Sequence, residues 1–179
     1  TELQTFLVFL NNISGTLPPQ FSAWSAVTIV AVEKNMLTGT LPPEYKAWTM
    51  IGTMRCYLNQ LNGSLPHEYS AWTGLKLFNV QSNQLSGSLP PNYKAWPAIT
   101  NFYVDKNLLS GTLPMEYSAW RSILALSLSF NSLQGTIPAS YGGMPSLQIF
   151  NIAHNMVSGS IPAAILQAPA LLSFIVPFN

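Results

Sequence analysis

The sequence predicts an α/β-type solenoid: a right-handed coil of 24-residue repeats, with a parallel sheet on its concave side and short 3₁₀ or irregular segments on its convex side. Three observations predict it. Glycine recurs at Gly15, Gly39, Gly63, Gly87, Gly111, Gly135 and Gly159, each 24 residues after the last. Asparagine keeps the same period at Asn11, Asn35, Asn59, Asn83, Asn107, Asn131, Asn155 and Asn179. Between the two lies an LxxLxLxxNxL pattern, filled most literally by Ile123, Leu126, Leu128, Asn131 and Leu133.

That pattern is the leucine-rich repeat signature, and each part of it has a local reason. Apolar residues alternate at period two in the LxL segment, so it forms a short strand with one face turned inward. Stacked about 4.8 Å apart, eight such strands span roughly 34 Å. The Asn side chain can satisfy backbone groups freed where the strand turns away. In stretches such as "GTLPPEYKAW" the glycine permits a bend and the proline fixes the extended path after it. The "EYKAW" that follows is too short for an isolated helix and predicts a 3₁₀ turn on the convex side. Tyr45, Tyr69, Tyr93, Tyr117 and Tyr141 form one ladder there and Trp24, Trp48, Trp72, Trp96 and Trp120 another. Rungs about 5 Å apart suit offset stacking, so both ladders are read as scaffold rather than as a sugar-binding strip.

Composition narrows the function. Residues 1–179 are read as a single repeat domain of about seven full repeats with partial terminal ones, an excerpt without caps. The net charge is +1 and only 7% of residues are charged, against roughly 25% in ordinary soluble domains. No basic footprint for nucleic acid follows from that balance. Cys56 occupies an inward position and is read as a small buried hydrophobe. The apolar run near the C-terminus is broken by Gln167, Pro169 and Pro177, so no transmembrane segment is expected.

Neither an enzyme, a cofactor nor a metal site is expected. Glu33 and Asp105 lie three rungs apart, roughly 14 Å, beyond the approximately 5 to 9.5 Å of paired glycosidase carboxylates. Glu44 and Glu68 are one rung apart but on the convex surface. His67 and His154 stand too far apart to share a metal or a nucleophile, and both are read as lone surface histidines. Every recurrent glycine belongs to the solenoid turn, so no phosphate loop is present.

The repeats align with one another inside the one chain, and the outward strand positions are where they differ. The central outward position reads Leu7, Ala31, Arg55, Asn79, Tyr103, Ser127, Asn151 and Ile175. Two residues later come Phe9, Glu33, Tyr57, Gln81, Asp105, Ser129, Ala153 and Pro177. Tyr and Arg, residues that often anchor protein interfaces, cluster with amides in the middle. The candidate ligand-binding patch on the concave face is therefore Glu33, Arg55, Tyr57, Asn79, Gln81, Tyr103 and Asp105. The apolar ends, Leu7, Phe9 and Leu10 at one and Ile175, Pro177 and Phe178 at the other, are expected to meet caps or to support self-association. Asn12 with Ser14 and Asn62 with Ser64 are glycosylation candidates.

At the level of LxxLxLxxNxLSGxLP the chain resembles the extracellular arrays of plant receptor-like kinases. The "GTLPPEY" style of rung is more similar to kinetoplastid surface antigens, including the promastigote surface antigen family. The resemblance implies an extracellular or cell-surface protein, lipid-anchored through segments outside this sequence, that contacts a protein or glycoprotein ligand on another cell. A structural antigenic coat or spacer with no ligand patch is the second reading, and a receptor-kinase-type ectodomain the third.

Overall fold

The computed structural model describes residues 2–179. An eight-stranded parallel sheet runs its length, from Thr5–Leu7 through Ile29–Ala31, Thr53–Arg55, Leu77–Asn79, Asn101–Tyr103, Ala125–Ser127 and Ile149–Asn151 to Ser173–Ile175. Each residue pairs with the one 24 positions on, as in Val30 with Met54, Met54 with Phe78 and Phe78 with Phe102. The middle residue of every three-residue strand points inward. These side chains line a single core with Leu41, Leu65, Leu89, Ile99, Ile123 and their equivalents.

Six 3₁₀ turns close the repeats opposite the sheet: Pro19–Ala23, Pro43–Ala47, His67–Ala71, Pro91–Ala95, Met115–Ala119 and Ala139–Gly143. Each begins after an extended proline, Pro42 at φ −66° and Pro66 at φ −65° among them. The last repeat, which has lost both aromatic residues, forms a short α-helix instead, Ala163–Leu166.

The turns explain the recurring Tyr-x-x-Trp. Within each turn these carbonyls accept one N–H, Tyr45 N–H on Pro42 O and Trp48 N–H on Tyr45 O, and keep a second lone pair free in the core. The next repeat supplies the second donor. Tyr69 Oη donates to the Pro42 carbonyl at 3.0 Å and Trp72 Nε1 to the Tyr45 carbonyl at 2.9 Å. Tyr93 and Trp96 do the same to Pro66 and Tyr69, and Tyr117 and Trp120 to Pro90 and Tyr93. The rings also stack, though not as tyrosine over tyrosine. Tyr45, Tyr69, Tyr93 and Tyr117 each lie on the Trp of their own turn, 3.8 Å between centroids for Tyr45 and Trp48. Indoles stack across repeats from Trp24 through Trp48 to Trp72, 6.3 Å for the last pair, and again from Trp96 to Trp120. Both ladders are buried over most of their length, which leaves no ring face for a sugar.

The asparagines form the second line of bonds between repeats. Asn107 Nδ2 donates to its own repeat at Val104 O, 3.0 Å, and to the previous repeat at Val80 O, 3.1 Å, while its Oδ1 accepts from Leu85 N–H at 3.0 Å. Asn59, Asn83, Asn131 and Asn155 repeat the set.

Two features exceed the expected single sheet. Between the asparagine and the proline the chain makes further parallel pairings, Ser14–Thr16 with Met36–Thr38 and a four-stranded set from Ser86–Ser88 to Met156–Val157. Here partners are 22 residues apart, as in Thr16 with Thr38 and Ser88 with Ser110. Gly39 is required there twice over: its φ is +74°, and an added Cβ would come within 2.7 Å of Thr16 Cγ2. The second feature is a row of non-glycine residues with left-handed backbone just before each asparagine: Leu10, Lys34, Leu58, Ser82, Lys106, Phe130, His154 and Phe178, at φ 53° to 60°. Neighbouring repeats hold this conformation, Leu58 N–H donating to Gln81 O and Leu58 O accepting from Asn35 N–H.

Replacing Asn107 by Leu leaves the buried Leu85 N–H unpaired and takes one of two amide donors from the Val80 and Val104 carbonyls, which keep Asn83 and Asn131. At about 1 to 3 kcal/mol per orphaned group, urea unfolding should show a loss several times that of an exposed change such as Lys46→Ala. Burial also pushes the phenols of Tyr45, Tyr69, Tyr93, Tyr117 and Tyr141 far above the ordinary tyrosine value. Their stabilisation is therefore complete below a pH of about 10 and is lost as pH rises through the alkaline range, where only the unfolded chain ionises. A spectrophotometric titration should show these phenolates appearing together with unfolding, not before it.

Candidate functional site

The face of the long sheet turned away from the core carries the variable residues. Strand register places Ala31, Arg55, Asn79, Tyr103, Ser127 and Asn151 in one row across it. Glu33, Tyr57, Gln81, Asp105 and Ser129 form the next row, just past the strand ends. All seven residues of the sequence-derived patch thus occupy two adjacent rows over four repeats. Period-two alternation also puts a third row on this face, Ile29, Thr53, Leu77, Asn101, Ala125 and Ile149. The sequence reading passes over it, although its residues stand two before the central row. It matters at Tyr103, whose Oη accepts from Asn101 Nδ2 at 2.7 Å while Asn101 Oδ1 accepts from Thr100 Oγ1 at 2.9 Å, so the ring is held in place.

The two carboxylates differ from the rest of the patch because both are closed to solvent, Glu33 at 3% and Asp105 at 8% exposure. Asp105 Oδ1 accepts from Ser127 Oγ, from Ser129 N–H at 2.9 Å and from Ser129 Oγ at 2.7 Å. Its charge is spent on the next repeat, where the backbone leaves the ladder and its N–H needs an acceptor. Asn79 Oδ1 takes Gln81 N–H, and Asn151 Oδ1 takes Ala153 N–H, by the same logic within one repeat. Among the described residues Glu33 makes one ion pair, with Arg55 Nε 3.6 Å from Oε1. Arg55, Tyr57, Asn79, Gln81 and Tyr103 are partly exposed.

Along one edge of this face run the left-handed residues, and here one expectation is corrected. His154 is no lone surface histidine: its ring lies between Phe130, at 4.0 Å, and Phe178, at 4.4 Å, both nearly parallel to it. Lys106 Nζ sits 5.7 Å from the centre of the Phe130 ring at the other end of this short stack. His67 stands apart on the opposite side, 3.4 Å from Glu68 Oε2. Among the described residues, no group of three or more His, Cys, Asp or Glu could hold a metal ion. Cys56 is fully buried, and burial pushes its thiol well above the usual range, as the inward position implies. Asn12 and Asn62 are both exposed on the flank. Leu7, Phe9, Leu10 and Phe178 expose apolar surface at the ends, while Ile175 is half-buried.

The burial pattern divides the patch into framework and free surface, and stability measurements can see the division. Asp105→Ala should destabilise by about 1 to 3 kcal/mol because Ser129 N–H loses its acceptor. Tyr57→Ala should cost clearly less in the same urea titration.

Neither a protein-family model nor a curated protein sequence matches the chain. Solved structures do. A plant peptide hormone receptor, RGFR1 in complex with RGF2, superposes with a TM-score of 0.93 at 27% identity, over 97% of this chain and 29% of that one. A TDR receptor gives 0.96 at 27% identity, over 98% of this chain and 30% of that one. The ectodomain of the plant membrane receptor kinase GASSHO1/SCHENGEN3 from Arabidopsis thaliana, in complex with CASPARIAN STRIP INTEGRITY FACTOR 2, gives 0.88 at 26% identity, over 93% and 20%. The chain spans less than a third of the length of each of these receptors. With the sheet, the turns and the asparagine bonds described above, the fold is a leucine-rich repeat solenoid of the kind found in plant receptor ectodomains.

Proposed function

We propose that this chain is a non-catalytic recognition module displayed outside the cell, binding a protein or glycoprotein ligand on the open face of its long sheet. The observation that carries the reading is the contrast between rows. Every inward strand row stays apolar and the asparagine row keeps one residue type and one set of bonds, whereas the outward rows change at each repeat and gather Arg55, Tyr57, Asn79, Gln81 and Tyr103 at their centre. Tyr and Arg with a firm backing make good interface anchors, and Tyr103 has that backing in Asn101. The similar peptide hormone receptor, in complex with RGF2, supports a peptide or protein as the occupant. The rung style, read from the sequence as resembling that of kinetoplastid surface antigens, is the ground for proposing display at a cell surface, with a lipid anchor as part of the same proposal. Among the described residues no helix is long and apolar enough to cross a membrane. Residues 1–179 act as one array in this proposal.

A structural coat or spacer is the competing reading, and it makes the opposite demand on the same residues. Tyr57, Gln81 and Tyr103 are replaced together by Ser, with Arg55, Asn79 and Asp105 left in place because Arg55 pairs with the buried Glu33 and the other two accept backbone N–H groups. Recognition predicts that retention on partner cell membranes falls to background while the unfolding midpoint stays close to that of the parent. Undiminished retention would leave length and coat formation as the function.

A further inference from the structure

Among the described residues, Glu33 and Arg55 carry the buried side-chain polar atoms that go without a hydrogen-bond partner. Glu33 Oε2 and Arg55 Nε are both closed to solvent, and among the described residues neither makes a hydrogen bond. The 3.6 Å between Arg55 Nε and Glu33 Oε1 is an ion pair without a hydrogen bond. Asp105 shows what the position looks like when the chain satisfies it from within. There the following repeat offers two serine hydroxyls and an N–H, and all three converge on one carboxylate oxygen. In the repeat after Glu33 the serines are replaced by Arg55 and Tyr57. The longer carboxylate and the guanidinium stand side by side with an acceptor and a donor both unused.

An acceptor beside a donor is the complement of an amide. A lone cation would match Glu33 Oε2 and leave Arg55 Nε unpaired, and a lone carboxylate would do the reverse. A carboxamide meets both, its NH₂ donating to Glu33 Oε2 while its oxygen accepts from Arg55 Nε. Both atoms are closed to solvent, which favours the slim end of an Asn or Gln side chain over a main-chain amide flanked by Cα substituents on both sides. Entry needs one side chain to move. The Arg55 side chain is 35% exposed, flexible and held only by the long ion pair, so it is suited to swing aside and return over the ligand. The flanking positions in the Glu33 row are Phe9 and Tyr57, aromatic neighbours one repeat to either side.

We infer that the Glu33–Arg55 pair is a subsite for a side-chain carboxamide, an Asn or Gln of a protein ligand lying across the sheet. This deepens the recognition reading above and rests on it for the ligand's being a protein.

Nitrogen-edited NMR on the full chain tests the subsite without any partner. The Arg55 Nε–H resonance, assigned by its loss in Arg55→Lys, is followed during titration with the N-acetyl N-methylamides of glutamine, leucine, lysine and glutamate. The inference expects a saturable displacement by the glutamine probe, with the leucine probe weaker by roughly tenfold or more, as an unmatched donor and acceptor imply. Glu33→Met, checked for folding by its unchanged backbone spectrum, should abolish the preference. Should that variant fail to fold, the four-probe ranking on the parent still decides. A stronger response to the lysine probe would show a cation site on Glu33 alone, and a stronger one to glutamate an anion site on Arg55; either overturns the inference. Equal or absent responses would mean a closed internal ion pair and overturn it as well. None of these outcomes touches membrane retention of the Ser-substituted chain, so the subsite and the recognition reading fail separately.

Discussion

Carbonyl groups that accept from two repeats at once govern this structure. A 24-residue coil must turn sharply on both sides of its sheet, and each turn leaves its buried carbonyls with one partner from their own repeat and a second lone pair to fill. The chain answers with side chains from the following repeat: asparagine amide beside the sheet, tyrosine hydroxyl and tryptophan indole at the 3₁₀ turns. Because each donor reaches back 27 residues, no repeat is complete alone. Stability is built at the junctions, as expected of an array whose units contact only their neighbours.

That division of labour shapes the binding face. The inward rows are fixed by bonding and packing, so variation is confined to residues the junctions do not need. Asp105 marks the boundary, since it lies in a variable row yet serves the frame of the next repeat. Glu33, in the same row, has no comparable internal duty. The difference comes from what the following repeat provides, serines in one case and Arg55 with Tyr57 in the other. Tyr103, braced by Asn101, shows the reverse arrangement, in which the frame steadies a residue that faces outward.

Much of this is legible in the sequence because the period is strict. A 24-residue spacing with alternating apolar residues determines the strands, their register and the inward row, and the short Pro-bounded segments determine the 3₁₀ turns. The aromatic ladders are legible as packing. Their hydrogen bonds are not, because they join atoms of different repeats in a direction that spacing alone does not reveal. The pairings at a spacing of 22 residues escape notice for a similar reason: the sequence repeats at 24, and the offset arises only when the flank is laid against its neighbour. The left-handed row carries no compositional mark, since Leu, Lys, Ser, Phe and His fill it where glycine or asparagine would be easiest. Burial of Glu33 and Asp105 likewise depends on neighbouring side chains that a one-dimensional pattern does not bring together.

The shared junction chemistry also governs how such a molecule can change length. Pro42, Pro66 and Pro90 present nearly the same carbonyl to nearly the same tyrosine, so excising or duplicating a whole unit joins surfaces that already fit. Losing one residue instead throws the amide, phenol and indole that reach back across the gap out of reach of their targets. Growth and shrinkage are therefore quantised in steps of a full turn, and each step slides the binding rows past one another intact, reshuffling which outward residues become neighbours while leaving the frame as it was.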